Sequence, residues 1–426
     1  MFRKFFDMIK NKEVRKRILF TLLIFIVYRF GCTLTIPGID KTGFTITSDS
    51  VLSLMNLMGG GALAQFSIFA LGVSPYITSS IVIQLLSMDV IPSLSEWRKD
   101  GEKGRKKIER ATRFLSVVLA IIQGWSITYG FDKQYGILGA GATFRSYIFV
   151  IGMLVTGTMI ISWLGDQISI KGVGNGMSMI IFAGIVSDLP NTFTGNYVNT
   201  VYSAIGTDHL AQGILHFTGF ILLYLLIILV VTCIECGEKR ISIHNSQTLS
   251  NGSTMTYLPV KINPAGVIPV IFAQTIMTVP QVIISFFNTD LYQKMGSVLS
   301  LKSGSGLAIY GFLIFLFTFL YTDIIMDPEE ISSNLKKQGS FIPGVRPGKD
   351  TEKHLRKVIY RTATIGAVIL TALGLLPYIL SMFATVTDTT ALGGTGIIVC
   401  VGVAMETINA LETMQIKNRY STGWMF

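Results

Sequence analysis

The chain has 426 residues, half of them apolar; only 14% are Lys, Arg, Asp or Glu, yet the net charge is +10. A soluble chain usually carries ~25% charged residues, so an ordinary cytosolic enzyme, a disordered chain and a disulfide-rich secreted domain are excluded. A membrane helix needs ~20 mostly apolar residues, which makes this composition enough for roughly ten spans.

Apolar runs bounded by charges, Gly, Pro or polar clusters predict an all-α polytopic membrane protein with ten transmembrane helices. They fall at about 18–36, 73–88, 114–130, 146–166, 176–187, 213–234, 265–287, 305–326, 359–381 and 391–411. A basic stretch precedes the first run, but no small-residue cleavage site follows it, so it reads as a retained helix ended by Pro37-Gly38. The second and fifth runs are short for a full crossing. Between the first two, Val51 to Leu71 is apolar but broken by Gly59, Gly60 and Gly61. Irregular backbone at membrane depth persists only where protein buries it or a cavity adjoins it. This segment therefore predicts a cavity.

Ten spans put both termini on one side. Loops on that side hold 28 of the Lys and Arg residues, against 5 on the other. Positive charge favours cytoplasmic loops, so both termini are expected in the cytoplasm. Two cytoplasmic segments are more basic than orientation requires: EWRKDGEKGRKKIERATR (96–113), with Arg105, Lys106 and Lys107, and NLKKQGSFIPGVRPGKDTEKHLRK (334–357), with Arg346, Lys349, Lys353, Arg356 and Lys357. Attraction to anionic lipids would account for them at ~1 kcal/mol per basic residue. A sharper reading is docking of a large anionic partner such as a ribosome. Pro343-Gly344 and Pro347-Gly348 present Arg346 on a stiff turn, which lipid attraction does not need.

Sites for chemistry are lacking. GVRPGKD (344–350) has three residues between its glycines instead of four, and Asp350 where a magnesium-binding Ser or Thr belongs. Gly172-Val173-Gly174-Asn175-Gly176 fails the dinucleotide spacing. Cys233 and Cys236 have no second Cys or His pair at zinc spacing. No catalytic residue, metal or cofactor is expected. Of the ionisable groups near spans, Arg29 lies toward the outer end, where it could snorkel to the surface; Asp166, Glu235 and Asp323 lie near cytoplasmic ends, and Glu406 is the deepest, in the cytoplasmic half of its span. On architecture alone, a secondary solute transporter with inverted repeats is the alternative.

Three blocks go further. FSIFALGVSPYITSSIVIQLL (66–86), WLGDQISIKGVGNGMSMIIFAGIV (163–186), and LPVKINPAGVIPVIFA (258–273) with FIPGVRPGKDTE (341–352) closely resemble signature segments of the SecY family of protein-translocation channels. They occur in family order. The resemblance implies two inverted five-helix halves, at 18–187 and 213–411, joined by an external hinge loop at 188–212 around a central pore. The basic N-terminus (1–17), docking loops 235–264 and 327–358, and the tail (412–426) would be cytoplasmic.

The resemblance also implies a plug made of Leu54, Met55, Asn56, Leu57, Met58, Gly59, Gly60, Gly61, Ala62, Leu63 and Ala64, with the glycines able to hinge. It implies a waist ring of Ile77, Ile81, Met177, Ile181, Ile271 and Val399. Met177 and Val399 depart from the family's usual isoleucines. A lateral gate would lie between spans two–three and seven–eight, with Gln84, Gln274 and Thr275 as polar positions able to form interhelical bonds. Arg346 matches the arginine that engages the SecA motor and the ribosome. The loop after span six has no basic residue from 242 to 257, so docking should fall mainly on 334–357. The implied function is a protein-conducting channel in the bacterial cytoplasmic membrane, not an enzyme. It would pass unfolded preproteins across and release signal peptides sideways. Its implied partners are SecE, SecG, the SecA ATPase, the ribosome and anionic lipids.

Overall fold

Each of the ten apolar runs lies on a separate helix. The computed structural model describes residues 11–39, 56, 59–88, 90–139, 143–205, 210–245, 256–284, 298–301, 303–383 and 388–422. The first five runs lie on α1 (Lys12–Thr33), α2 (Ser74–Leu86), α4 (Gly101–Tyr135), α5 (Phe144–Lys171) and α6 (Gly176–Thr200), with a short α3 (Pro92–Lys99) before α4. The second five lie on α7 (Leu210–Cys236), α8 (Ile268–Ile284), α9 (Gly304–Ile325), α11 (Lys349–Phe383) and α12 (Asp388–Thr422), with α10 (Pro328–Lys337) after α9. Among the described residues six helices are both long and apolar enough to cross a membrane, and α2 and α8 hold shorter apolar stretches.

Two segments expected as basic loops are largely helical. Arg105, Lys106 and Lys107 sit on α4, and the 334–357 segment contributes the end of α10 and the start of α11. Hydropathy marks such charge runs as loops, but pairs four residues apart suit a solvated helix. Glu102–Lys106, Glu109–Arg113 and Glu352–Arg356 are such pairs. The expected hinge loop 188–212 is likewise helical as far as Thr200, through Pro190. The apolar run ends near Val186, whereas the helix continues past that point to Thr200.

The fold is not purely helical. β1 (Glu238–Asn245) pairs antiparallel with β2 (Thr256–Lys261) and with β3 (Ser340–Phe341), in the order β2-β1-β3. Ile241 and Ile243 alternate inward and join Val260, Leu335, Ile342, Leu355 and Ile359 in a small core. That period-two alternation over a few residues is invisible to a search for long apolar runs.

The two five-helix sets meet along two seams. On one, α2 and α4 pack against α8; on the other, α6 packs against α7 and α12. One continuous apolar cluster crosses between the sets, including Ile24, Ile161, Ile180, Phe220, Tyr310 and Ile398. The 13 residues of α2 span only ~20 Å against a ~30 Å hydrocarbon layer. The irregular turns of 59–73 precede it, with Ala62 and Leu63 fully buried. Protein burial is the condition under which such backbone survives at membrane depth.

Candidate functional site: an apolar waist and a pinned turn

Pro75 at the start of α2 suits a helix N-terminus, where its missing N–H is not needed. One turn apart on that helix, Ile77 and Ile81 are both buried. Opposite them α6 begins at Asn175, whose Oδ1 accepts the Met177 N–H at 3.1 Å. Gly176 is required by contact: a Cβ there would lie 1.7 Å from the Gly165 carbonyl oxygen. The glycines of 172–176 thus serve a tight elbow between α5 and α6 that aims Ile181 inward. Ile181, Ile271 on α8 and Val399 on α12 are also buried, and all five belong to the cluster that joins the two sets. Met177, the sixth expected ring member, is only partly buried, and its thioether lies against Gly165.

A cavity of about 20 Å³ touches Gly59, Val73, Ile77, Ile181, Gln274 and Thr278. That is room for roughly one water molecule. It places the glycine segment, the waist and the α2–α8 seam around one point. Asn56 and Gly59 to Ala64 of the expected plug are described; Leu54, Met55, Leu57 and Met58 lie outside the described residues. Asn56 organises this turn: its Oδ1 accepts the Ala64 N–H and its carbonyl accepts the Gly61 N–H, both at 2.8 Å.

Of the three polar positions expected at the gate, one faces a helix of the other five-helix set. Gln84 donates to Ser80 at 3.1 Å on its own helix and faces the Tyr321 hydroxyl of α9. Thr275 donates instead to the Ile271 carbonyl at 2.8 Å, within α8. Gln274 is buried and faces Tyr378 of α11, in its own half. A buried hydroxyl on a helix satisfies itself on the preceding turn more readily than on a distant partner.

Three of the four carboxylates flagged near spans have local partners, and Glu406 is partly buried on α12. Asp166 pairs with Arg113 at 2.9 Å, Glu235 accepts from Asn263 at 3.1 Å, and Asp323 accepts from Tyr360 at 2.9 Å. Arg29 is exposed, and it donates to the Gly60 carbonyl of the expected plug segment and to Ser187 of α6. The sequence signal for this contact was a single charge in an apolar run, which carries no hint of its partner.

At the sheet-bearing end, Arg346 stands exposed on a pinned turn. Gly344 and Gly348 adopt φ +81° and +106°, conformations open to glycine. The Val345 N–H donates to the Ile342 carbonyl at 3.1 Å and Ser332 donates to the Gly348 carbonyl at 2.9 Å. Thr351 donates to the carbonyl of Arg346 itself at 2.8 Å, and Ile342 anchors the turn in the small core. Arg105, Lys106, Lys107, Lys349, Lys353, Arg356 and Lys357 are exposed as well. Lys106 and Arg356 pair with acids on their own helices, and Lys107 lies over the Trp97 ring. Cys233 and Cys236 are exposed free thiols.

A family model described as SecY matches residues 67–408. The chain belongs to the SecY family. A protein translocase subunit SecY from Streptococcus gordonii is 41% identical, with 98% of this chain and 97% of that relative covered. Its counterpart from Bacillus subtilis is 39% identical over 99% of both. Among solved structures, one described as a protein conducting channel superposes with a TM-score of 0.68 at 17% identity, covering 96% of this chain and 94% of that one. Sec61 from a canine ribosome–channel complex of the endoplasmic reticulum gives 0.65 at 16%, covering 96% and 94%. These structures share the fold: a polytopic membrane protein built of apolar helices, as the SecY fold requires.

Proposed function

We infer that this chain is the pore-forming subunit of a protein translocase, passing unfolded preproteins across the cytoplasmic membrane and releasing signal peptides into lipid. The observation that carries this reading is the waist. Buried isoleucines from α2, α6 and α8 meet in one apolar cluster beside the buried glycine segment. A short apolar constriction stops water and ions by dewetting, and offers a passing polypeptide no fixed charge to bind. The halves 18–187 and 213–411 form the two walls, and the plug blocks the waist from outside. The α2–α8 seam opens sideways toward lipid. Both termini face the cytoplasm, in line with the charge asymmetry. Neither half performs catalysis, so the driving energy comes from partners.

Those partners are SecE and SecG in the membrane, and SecA or a translating ribosome at the cytoplasmic face. The fixed Arg346 turn supports docking of a protein or ribosomal surface, with anionic lipid drawn to the remaining basic residues. The solute-transporter alternative has less support, because the full-length relatives are named translocase subunits and Asp166, Glu235 and Asp323 hold local structural contacts; uptake of a solute that Glu406→Gln eliminates would favour it.

The test is transport of a radiolabelled preprotein into vesicles holding the purified channel complex, driven by SecA and ATP. The wild-type complex should transport; Arg346→Glu should abolish transport while retaining SecE and the wild-type detergent melting temperature. Normal transport by the mutant would remove Arg346 from the docking role. Failure of the wild-type complex would sink the channel reading itself.

A further inference from the structure

The plug segment has a seat, and its only charged contact among the described bonds is Arg29. This guanidinium projects from α1 near its end, and its Nη1 donates both to the Gly60 carbonyl and to the Ser187 hydroxyl, the latter at 3.2 Å. Ser187 in turn donates to the Gly184 carbonyl at 2.8 Å, which holds its oxygen toward the arginine. Gly60 lies so close to α6 that a Cβ would come 3.1 Å from the Gly184 Cα, and its φ is +65°. On the neighbouring residue, the Gly59 carbonyl accepts from the Cys32 thiol at 3.6 Å. Cys32 is buried at 1% exposure. Among the described residues, no carboxylate lies within ion-pair distance of Arg29.

An arginine with no acid partner among the described residues gains most from polar groups it can charge-assist, and here these are a backbone carbonyl and a hydroxyl. Such a contact is stronger than a neutral hydrogen bond yet weaker than a buried ion pair. A carbonyl acceptor carries no charge to strand when the contact breaks. Those are the properties of a closure that must hold at rest and yield to an inserting chain.

We propose that Arg29 is the latch of the plug: it positions Gly60 against α6 and sets how often the resting channel opens. The inference rests on the translocase reading above, in which residues near 54–64 block the pore. Ser187 orients the latch, and the space over Gly184 is where the seated backbone fits.

Cys32 provides a native reporter, because lifting residues 59–60 uncovers its thiol. The experiment uses the full channel complex in vesicles, with Cys233→Ser, Cys236→Ser and Cys400→Ala as background so that Cys32 is the single remaining thiol. A membrane-impermeant maleimide is applied from the face opposite SecA, and labelling of Cys32 is timed. Arg29→Gln should accelerate labelling at least tenfold, a change of ~1.4 kcal/mol in plug seating, and raise resting ion conductance in parallel. Arg29→Lys should fall between the two, and Ser187→Ala should give a smaller acceleration. Lys133→Gln, which removes a charge from an exposed helix end, should change nothing. Unaltered Cys32 labelling in Arg29→Gln overturns the latch. If that variant does not assemble, unaltered labelling in both Arg29→Lys and Ser187→Ala overturns it equally. Preprotein transport is measured on the same vesicles: wild-type vesicles that transport nothing would refute the translocase reading, while the labelling series still reports on the contact.

Discussion

The waist cluster and the Arg346 turn are built in opposite ways. At the waist, five apolar side chains from four helices are buried together, and few directional bonds hold them. At the turn, an exposed arginine is fixed by hydrogen bonds from Ser332 and Thr351 and by Ile342 in the core beneath. Dispersion and water exclusion have little directionality, so an apolar seal can part and reform around any chain. Docking requires a particular orientation, and hydrogen bonds supply it. On the channel reading proposed above, the molecule separates its yielding part from its specific part.

That contrast can be broken most sharply at the waist. Ile81→Asn combined with Ile181→Asn should let water persist there, because polar side chains oppose dewetting. Resting single-channel conductance should then rise at least ~tenfold, equivalent to ~1.4 kcal/mol off the barrier. Unchanged conductance would mean that the seal lies elsewhere.

At the turn, removing the supports should matter even though neither touches a partner. Ser332→Ala and Thr351→Ala each delete a bond worth ~1 kcal/mol, so SecA affinity should drop roughly fivefold for each. Titration of labelled SecA onto the complex measures this. Affinity equal to wild type in the double variant would show that Arg346 needs no fixed geometry.

The smallest effect is expected at the seam. Tyr321→Phe removes the hydroxyl facing Gln84, and interhelical bonds in membranes average ~0.6 kcal/mol. Open probability at rest should increase about threefold, read from single-channel recordings. A change as large as that of the isoleucine pair would make the seam, not the waist, the principal closure.

Much of the helical layout was legible in the sequence because each helix packed at membrane depth carries an apolar run, even where, as on α2, that run is too short to cross alone. Those runs located ten helices but misjudged their ends. Arg105 and Lys349 sit on helices that continue beyond their apolar runs, and charge patterns do not distinguish a solvated helix from a loop. The strand at Glu238–Asn245 escaped for a similar reason, since its two buried isoleucines are too few to stand out. Gln84, Gln274 and Thr275 were recognisable as polar residues in apolar runs. Their partners were not, because bonding within one helix and bonding across a seam leave the same local sequence.

Composition, charge asymmetry and the three signature blocks by themselves determined a SecY-family membrane protein with a basic face. Only the tertiary structure decided which contacts that protein makes. It put Met177 against Gly165 instead of fully into the waist cluster, kept Thr275 within its own helix, and turned Arg29 onto Gly60. The reason is physical. Membrane burial depends on the sum of many side chains and survives averaging along the chain, whereas a hydrogen bond depends on two atoms that meet only after the helices have packed.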